Sequence, residues 1–488
     1  MESETGRVCV KRVGCSDDVC AHRHNTDHGV LPQHASGDPR IRSSSFESPR
    51  KNGIYRQPVR SRLQHYGTYD IVARISLFVV NTTSTSSVFA EAWLPDTWYG
   101  RFLAVGNGGL GGCVDYQNID YGTSLHFATV GSNNGHDGGS WSGTAFLNHP
   151  EVINDFAYRA IHVQTVIGKQ IVQAYYGEPH HKSYWLEDFD GIVAGAPATF
   201  WNDLLGWEGM MARHVGAPNP NASASFIPPA LWDVVAGEVL RQCDELDGVK
   251  DGIITEPDAC EFRPEAIQCT GQNMTNCLSK PQVEALRKIY SPLYGLGGEL
   301  LYPRYDPGTE GNGNWQIVAN GSVNPLVDGW YRFAVLNDSN YNFSDFGLKE
   351  IALADRINPG GISTSSGDLS AFEKRGGKFI TYHGRRDEYI PSGNSKRMYN
   401  LISETLSMPS LDSFYRLFLI PGMNHCSGGP GAAAFGQRYK ETNAVNASSH
   451  NVLLAMVDWV EGGNAPDTII GTATDGTQRH SSTNIPQV

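Results

Sequence analysis

The chain has 488 residues, of which 40% are apolar and 18% charged, a composition typical of a globular protein. Its formal net charge of −13 disfavours nucleic acids and anionic membranes as partners, because both bind clustered Lys and Arg. The most apolar run, residues 75–80, is too short to cross a bilayer, so no membrane-spanning helix is expected.

Residues 1–52 are polar and show no hydrophobic period, which predicts a poorly ordered N-terminal arm. This arm has no apolar stretch of the kind that a secretory signal needs. Seven N-x-Ser/Thr sequons nevertheless favour a secreted glycoprotein, and we expect that a true signal has been lost from the start of the sequence. The sequon asparagines are Asn81, Asn221, Asn273, Asn320, Asn337, Asn342 and Asn446.

Residues 53–200 are predicted to form the first part of an α/β domain. Strand patterns at 87–95, 101–109 and 127–135 run into turns or Gly-rich loops, and a helix is predicted over 151–175 with a break near Gly168. Two further strands are predicted at 183–186 and 191–197. Parallel strands need a crossover of about a dozen residues or more, and almost nothing stands between Leu186 and the next strand.

Residues 201–370 lose the strand–helix alternation and hold four of the nine cysteines, which predicts an inserted lid domain. Two short loops are expected to be closed by the disulfide bonds Cys243–Cys260 and Cys269–Cys277. Alternation resumes with strands at 378–384 and 414–422 and a helix at 451–463, which we expect Gly462 to end.

The interrupted alternation predicts an α/β-hydrolase sheet with a large inserted lid domain. The second part of the hydrolase domain is expected at 371–470, followed by an unstructured tail at 471–488.

Two loop residues after predicted strands are candidates for catalysis, Asp387 and His425. In α/β hydrolases a nucleophilic serine, an acid and a histidine follow one another along the chain, each on a loop at the end of a strand. The acid orients the imidazole, and the histidine takes the proton of the nucleophile. The alternative is structural: a turn aspartate and a histidine in a Gly-rich loop.

The Gly-rich loop 106–112 is a candidate for the oxyanion hole, with the backbone N–H groups of Gly108 and Gly109 as donors, although a plain turn is the alternative. No strand is followed by a G-x-S-x-G elbow. Ser140 lacks the second glycine, and the G-C-S at 14–16 lies in the polar arm with no glycine after it.

A candidate calcium site lies in the lid, where Asp244, Asp247 and Asp251 fall within eight residues that include two Asp-Gly turns. Carboxylates are hard oxygen ligands that suit Ca²⁺. The EF-hand pattern is absent, since Leu246 and Gly248 occupy its acidic positions. The alternative is a pair of solvated turns.

Six segments in order resemble the tannase and feruloyl esterase family of fungi and bacteria, over about Leu94 to Gly471. The resemblance implies an α/β hydrolase with a lid that cleaves esters of phenolic acids such as gallate or ferulate, with Asp387 and His425 as acid and base. The segments are GRFLAVGNGG, FATVGSNNGHDG, DFAYRAIH, DFDGIVAGAPA, HGRRDEYIP and PGMNHCSGGPGA.

The resemblance also implies what is missing at the junction. The serine of the family lies in a G-C-S-x-G-G segment, followed by a helix, between a KSY segment and a DFDG block. Here Leu186 runs directly into Glu187, so the nucleophile elbow and its helix are absent. The clean edges indicate a splicing artefact, and the start and the end of the chain also depart from the family.

Further expectations follow from the resemblance. The cysteine beside the serine would pair with Cys426, so Cys426 is predicted to be a free thiol. Independently of the resemblance, Cys113 is expected to pair with one of Cys9, Cys15 or Cys20. The calcium ligands would be the side chains of Asp244, Asp247 and Asp251 and the carbonyls of Val249 and Ile253.

The sequence therefore predicts a carboxylic ester hydrolase that acts on phenolic esters by a Ser–His–Asp mechanism, but whose chain as written does not work as an esterase. One alternative is an inactive homologue that binds phenolic or glycan ligands through its Trp- and Tyr-rich lid. Another is a hydrolase that uses a different serine.

Overall fold

The computed structural model describes residues 53–55, 59–62 and 72–482 apart from 186–188, 272–274, 312–314, 438–446 and 474–477. Only the backbone is described for residue 316 and for the parts of the chain before 76 and after 473. The predicted arm at 1–52, with Cys9, Cys15 and Cys20, lies outside the described residues.

A ten-stranded mixed sheet forms the centre of the described structure, and two separate two-stranded sheets, β9-β10 and β13-β14, lie outside it. The fourteen described strands are β1 (Gly53–Tyr55), β2 (Val59–Arg62), β3 (Val72–Asn81), β4 (Ser87–Pro95), β5 (Arg101–Val105), β6 (Ala128–Ser132), β7 (Lys182–Tyr184), β8 (Gly191–Gly195), β9 (Leu293–Tyr294), β10 (Leu300–Tyr302), β11 (Lys378–Gly384), β12 (Tyr415–Ile420), β13 (Thr468–Thr472) and β14 (Gln478–Ser482).

The order in the sheet is β1-β3-β4-β6-β5-β7-β8-β11-β12, with β2 also beside β3. The strands from β6 to β12 along this order are parallel, and those before them pair antiparallel. Parallel strands are covered on both faces, which explains why β11, with Ile380 to Gly384 buried, reads as an almost unbroken apolar run up to its polar end. The α/β fold class is therefore confirmed.

Twelve α-helices are described around the sheet and in the insertion. They are α1 (Tyr116–Ser124), α2 (Pro150–Asn154), α3 (Ala160–Tyr176), α4 (Trp201–His214), α5 (Pro229–Cys243), α6 (Lys280–Ile289), α7 (Trp315–Ala319), α8 (Pro325–Asp328), α9 (Leu348–Ile357), α10 (Ser370–Lys374), α11 (Gly393–Leu406) and α12 (Val452–Val457).

The predicted break near Gly168 is wrong, because α3 continues through it to Tyr176. A Cβ at Gly168 would lie 2.8 Å from Val130 Cγ2, so this glycine lets the helix pack closely on β6. The irregularity lies earlier, in a π-helical turn at Asp155–Arg159 that joins α2 to α3.

The C-terminal part agrees with the expectation in one place and differs in another. The helical segment that begins with α12 ends with a π-helical turn at Asp458–Gly462, as predicted, and Gly463 caps it with φ 76°. The tail from 471 was expected to be unstructured, but β14 pairs antiparallel with β13. The sequence between the two strands contains Asp475–Gly476, a dipeptide typical of hairpins that could have predicted this pair of strands.

The described residues between β8 and β11 contribute no strand to the large sheet, since β9 and β10 form a separate two-stranded sheet. Helix α4 is the centre of this insertion and is buried along most of its length. Gly206 and Gly209 leave room on its surface for Ile351 and Phe346. The disulfide bonds Cys243–Cys260 and Cys269–Cys277 are both present, as predicted.

Strand β7 is short and joins its neighbours unequally. It pairs with β5 over three positions, from Lys182 to Tyr184, but with β8 only at Tyr184 and Gly191. Strand β8 therefore begins at the level where β7 ends. Ala104 and Val105, at the carboxyl end of β5, have no β7 residue paired with them. Both line the cavity described below.

Candidate active site

Asp387 lies in the loop after β11 and is completely buried. Its Oδ1 accepts hydrogen bonds from the backbone N–H groups of Tyr389 and Ile390, each at 2.9 Å. Its Oδ2 lies 2.8 Å from His425 Nδ1 and 3.2 Å from His383 Nε2. Burial opposes ionisation, but the interactions with the two histidines hold the pKa of this carboxyl well below its usual range.

His425 lies in the loop after β12, and its side chain is 18% exposed. Its backbone N–H donates to Glu388 Oε2 at 3.0 Å. Arg386 Nη1 donates to Asn424 Oδ1 at 3.0 Å, while its Nε donates to the carbonyl of Gly308 in the insertion. The structure therefore brings Asp387 and His425 together, and the neighbouring Arg386 and the buried Glu388 connect their two loops by hydrogen bonds.

His383 was not identified from the sequence. Its Nε2 lies 2.8 Å from the carbonyl oxygen of Ile390 as well as close to Asp387, and its Nδ1 lies 2.7 Å from Ser395 Oγ. Because Nε2 faces two acceptors, we assign it the proton. The sequence feature that could have identified His383 is its position near the end of the apolar strand β11, because a buried histidine needs hydrogen-bond partners.

A cavity of about 620 Å³ opens beside His425 and is lined by Gly108, Gly109, Trp141 and Tyr389. The loop is shaped by Leu110 N–H donating to the Ser140 carbonyl and by Gly109 with φ 57°. Among the described atoms, the N–H groups of Gly108 and Gly109 have no protein acceptor. This arrangement leaves both donors available to a ligand, and their oxyanion role stays a prediction.

The opposite wall of the cavity is formed where β7 is too short. Leu103 and Val105 of β5 and Val193 of β8 line it together with Tyr184 and Trp185. Trp185 has φ 131°, and a Cβ at Gly106 would lie 2.2 Å from its indole ring. The cavity therefore reaches the end of β7, where Tyr184 and Trp185 border it.

Ser140 is the one serine among the described residues that line the cavity, and it makes no hydrogen bond to His425. The carbonyl of Ser140 accepts a hydrogen bond from Leu110 N–H, so Ser140 helps to fix the conformation of the Gly-rich loop.

The prediction that Cys426 is a free thiol is wrong, because Cys426 is disulfide-bonded. Its Sγ lies 3.9 Å from His425 Nε2. A bridge beside His425 can form without the cysteine that the resemblance implied to be lost, so that explanation of the odd cysteine count fails. Cys113 Sγ donates to the Gly138 carbonyl at 3.4 Å, and its predicted partners lie outside the described residues.

The predicted calcium ligands lie in one loop that begins with a 3₁₀ turn at Asp244–Asp247. Asp244 Oδ1 accepts from Gly252 N–H, Asp247 Oδ1 from Val249 N–H, and Asp251 Oδ1 from Ile253 N–H. Within the described residues, no three His, Cys, Asp or Glu side chains form a ready metal-binding group. The donor set is nonetheless all oxygen, which suits a hard cation.

No helix in the described part of the chain is long and apolar enough to cross a membrane.

Comparison with known proteins gives a consistent result. The family model described as "Tannase and feruloyl esterase" matches residues 78–485, which extends beyond the predicted Leu94–Gly471 at both ends. A "Probable feruloyl esterase B-2" from Aspergillus flavus is 44% identical over 440 residues, covering 86% of this chain and 83% of the relative.

Solved structures agree with the sequence relatives. Feruloyl esterase B from Aspergillus oryzae is similar with a TM-score of 0.83 and 38% identity, over 88% of this chain and 92% of that one. Tannin acyl hydrolase from Aspergillus niger shares the fold, with a TM-score of 0.68 and 21% identity over 88% of this chain and 86% of the other.

Proposed function

Since the chain belongs to the tannase and feruloyl esterase family of carboxylic ester hydrolases, we propose that its substrates are esters of phenolic acids such as ferulate. The observation that supports this most directly is the 2.8 Å contact between Asp387 Oδ2 and His425 Nδ1 beside the cavity. The two residues lie on successive strand-end loops in the order that α/β hydrolases use.

In the proposed mechanism His425 Nδ1–H donates to Asp387, which fixes the tautomer and stabilises the imidazolium. Nε2 is then the base that takes a proton from a serine hydroxyl as the serine attacks the ester carbonyl. The N–H groups of Gly108 and Gly109 would stabilise the oxyanion of the tetrahedral intermediate.

We propose that the chain as written lacks this serine, because no nucleophile elbow stands between Tyr184 and Gly191. The elbow normally also supplies one N–H of the oxyanion hole, so its absence removes two parts of the mechanism. The chain as written should therefore have no measurable esterase activity.

The test compares this chain with one that carries a G-C-S-x-G-G segment and a helix inserted after Leu186. Both are assayed on methyl ferulate and methyl gallate. We expect turnover only from the repaired chain, and a repaired chain with Ala in place of the inserted serine is the matched control. Turnover from the unrepaired chain that His425→Ala abolishes would show that another serine acts as nucleophile.

A second candidate function is an inactive homologue that binds phenolic or glycan ligands, favoured by the aromatic cavity wall at Trp141 and Tyr389. Sequencing the transcript across codons 180–195 separates the two. A transcript that encodes the elbow supports the esterase, and a transcript without it supports the binding protein.

We also propose a calcium ion in the loop of Asp244, Asp247 and Asp251, with the carbonyls of Val249 and Ile253 as further ligands. The ion would add oxygen contacts to a loop whose ends are already joined by Asp244 and Gly252. A bound ligand stabilises the folded state by mass action. A higher melting temperature in calcium than in chelator, with the Asp247→Asn variant insensitive, is expected; equal melting temperatures would contradict the site.

Finally, we propose that the protein is secreted and glycosylated. All five sequon asparagines that the structure describes are exposed, as an acceptor must be: Asn81, Asn221, Asn320, Asn337 and Asn342. The chain is expressed in a fungal host behind a signal peptide from that host. Glycosidase treatment and peptide mapping of the secreted protein then test this proposal.

A further inference from the structure

Glu208 is a buried carboxyl group in the wall of the cavity that also contains His425. It lies on α4, is 1% exposed, and lines the cavity from the side of the insertion. Its Oε2 accepts a hydrogen bond from Asn324 Nδ2 at 2.7 Å. The one hydrogen bond that the described residues make to this carboxyl is at Oε2, so Oε1 is available to a ligand in the cavity.

The surroundings of Glu208 favour its neutral form. Burial, followed by the negative charge of Asp387, raises its pKa well above the usual range. The hydroxyl-bearing side chains of Tyr302 and Tyr305 are buried near it and bring no positive charge. With Oε2 accepting from Asn324, the protonated oxygen is the one that can donate into the cavity.

A buried carboxyl on a cavity wall needs a reason, because burying it without a full set of hydrogen bonds costs about 1–3 kcal/mol. The insertion also contributes the apolar side chains of Leu204 and Leu326 to the lining, and Trp141 adds an aromatic ring. A lining with such apolar and aromatic side chains accepts an aromatic ring, and a donor from the insertion selects a ring with an oxygen substituent at that point.

We propose that Glu208 determines specificity by donating a hydrogen bond to an oxygen substituent on the ring of the phenolic acid. This inference rests on the proposed function and deepens it, since it names the part of the ligand that the insertion recognises. Glu208 takes no part in the proton transfers at His425.

The test measures equilibrium binding to the chain as written by calorimetry, with methyl ferulate and methyl cinnamate as probes. The two esters differ only in the ring hydroxyl and methoxy groups. One buried hydrogen bond should favour methyl ferulate by about five- to tenfold. Glu208→Met should bind both esters equally, whereas Glu208→Gln, which keeps an N–H donor toward the cavity, should retain the preference.

Asn324→Ser is the matched control, because it removes the hydrogen bond to Glu208 while a serine can still cap α8. It should keep the preference even if it lowers stability. Retained preference in Glu208→Met, lost preference in Glu208→Gln, or equal loss in Glu208→Met and Asn324→Ser would each overturn the inference. Binding of both esters without preference overturns the inference alone, and binding of neither overturns the proposed function as well.

Discussion

The carboxyl ends of β11, β12 and β7 lie at the same edge of the sheet. They differ in how many contacts hold the chain that follows each strand. After β11 and β12, Asp387 and His425 contact each other, and hydrogen bonds of Arg386 and Glu388 join their loops. After β7 the chain reaches β8 at a single paired position, and the half-buried Trp185 borders a cavity.

The contrast shows that the acid–base pair does not depend on the nucleophile for its geometry. Each contact of Asp387 comes from β11, from its own loop or from the loop after β12. The hydrogen bonds from Tyr389 and Ile390 are local to its loop. The loops after β11 and β12 therefore keep their mutual contacts in the same sheet as β7, which pairs with β8 at a single position.

The largest expected effect concerns the loops after β11 and β12, in a chain that carries the inserted G-C-S-x-G-G segment and helix. With the elbow inserted, Asp387→Asn should lower kcat by about 10⁴-fold, because an amide cannot stabilise the imidazolium or the required tautomer. Steady-state kinetics on methyl ferulate measures this. A loss below tenfold would mean that Asp387 is not the acid of the triad.

The next effect is on stability and needs no repair. Asp387→Ala should lower the free energy of unfolding by about 3–5 kcal/mol, since His383 and two backbone N–H groups lose a buried acceptor. Urea denaturation is the measurement. Asp412→Ala, at the other end of β12 with a 52% exposed side chain, should change stability by no more than about 0.5 kcal/mol.

A substitution at the end of β7 should lower the free energy of unfolding by less. Trp185→Ala should cost about 2 kcal/mol or less, because the indole borders a cavity, whereas Trp→Ala in a packed core costs about 3–5 kcal/mol. Trp207→Ala, at a fully buried tryptophan of α4, is the matched comparison. Equal costs for the two variants would mean that the end of β7 is packed as well as the core.

The smallest effect is a pH dependence. The pKa of Asp387 is lowered on folding, so its stabilisation is present above the ordinary carboxyl pKa and is lost as pH falls toward the folded value. Between pH 5 and pH 3, the chain should lose about 1 kcal/mol more stability than Asp387→Asn. Parallel losses in the two proteins would show that the folded pKa is not lowered.

The sequence by itself determined the family, the main strands and the chemistry at two strand ends. Apolar runs such as Lys378–Gly384 appear as strands because a parallel strand is buried on both faces. Asp387 and His425 could be predicted because strand-end position and chain order are properties of the sequence. The missing crossover was also visible, since a minimum connection length is a geometric requirement.

Only the tertiary structure decided the contacts that depend on distant segments. The sequence does not show what His383 or Glu208 contacts, because the contact of His383 with Asp387 and the position of Glu208 beside the cavity depend on how loops and helices pack. Gly168 read as a helix break because local propensity does not show that β6 lies against it. Periodicity reports which residues are buried, and packing decides what they are buried against.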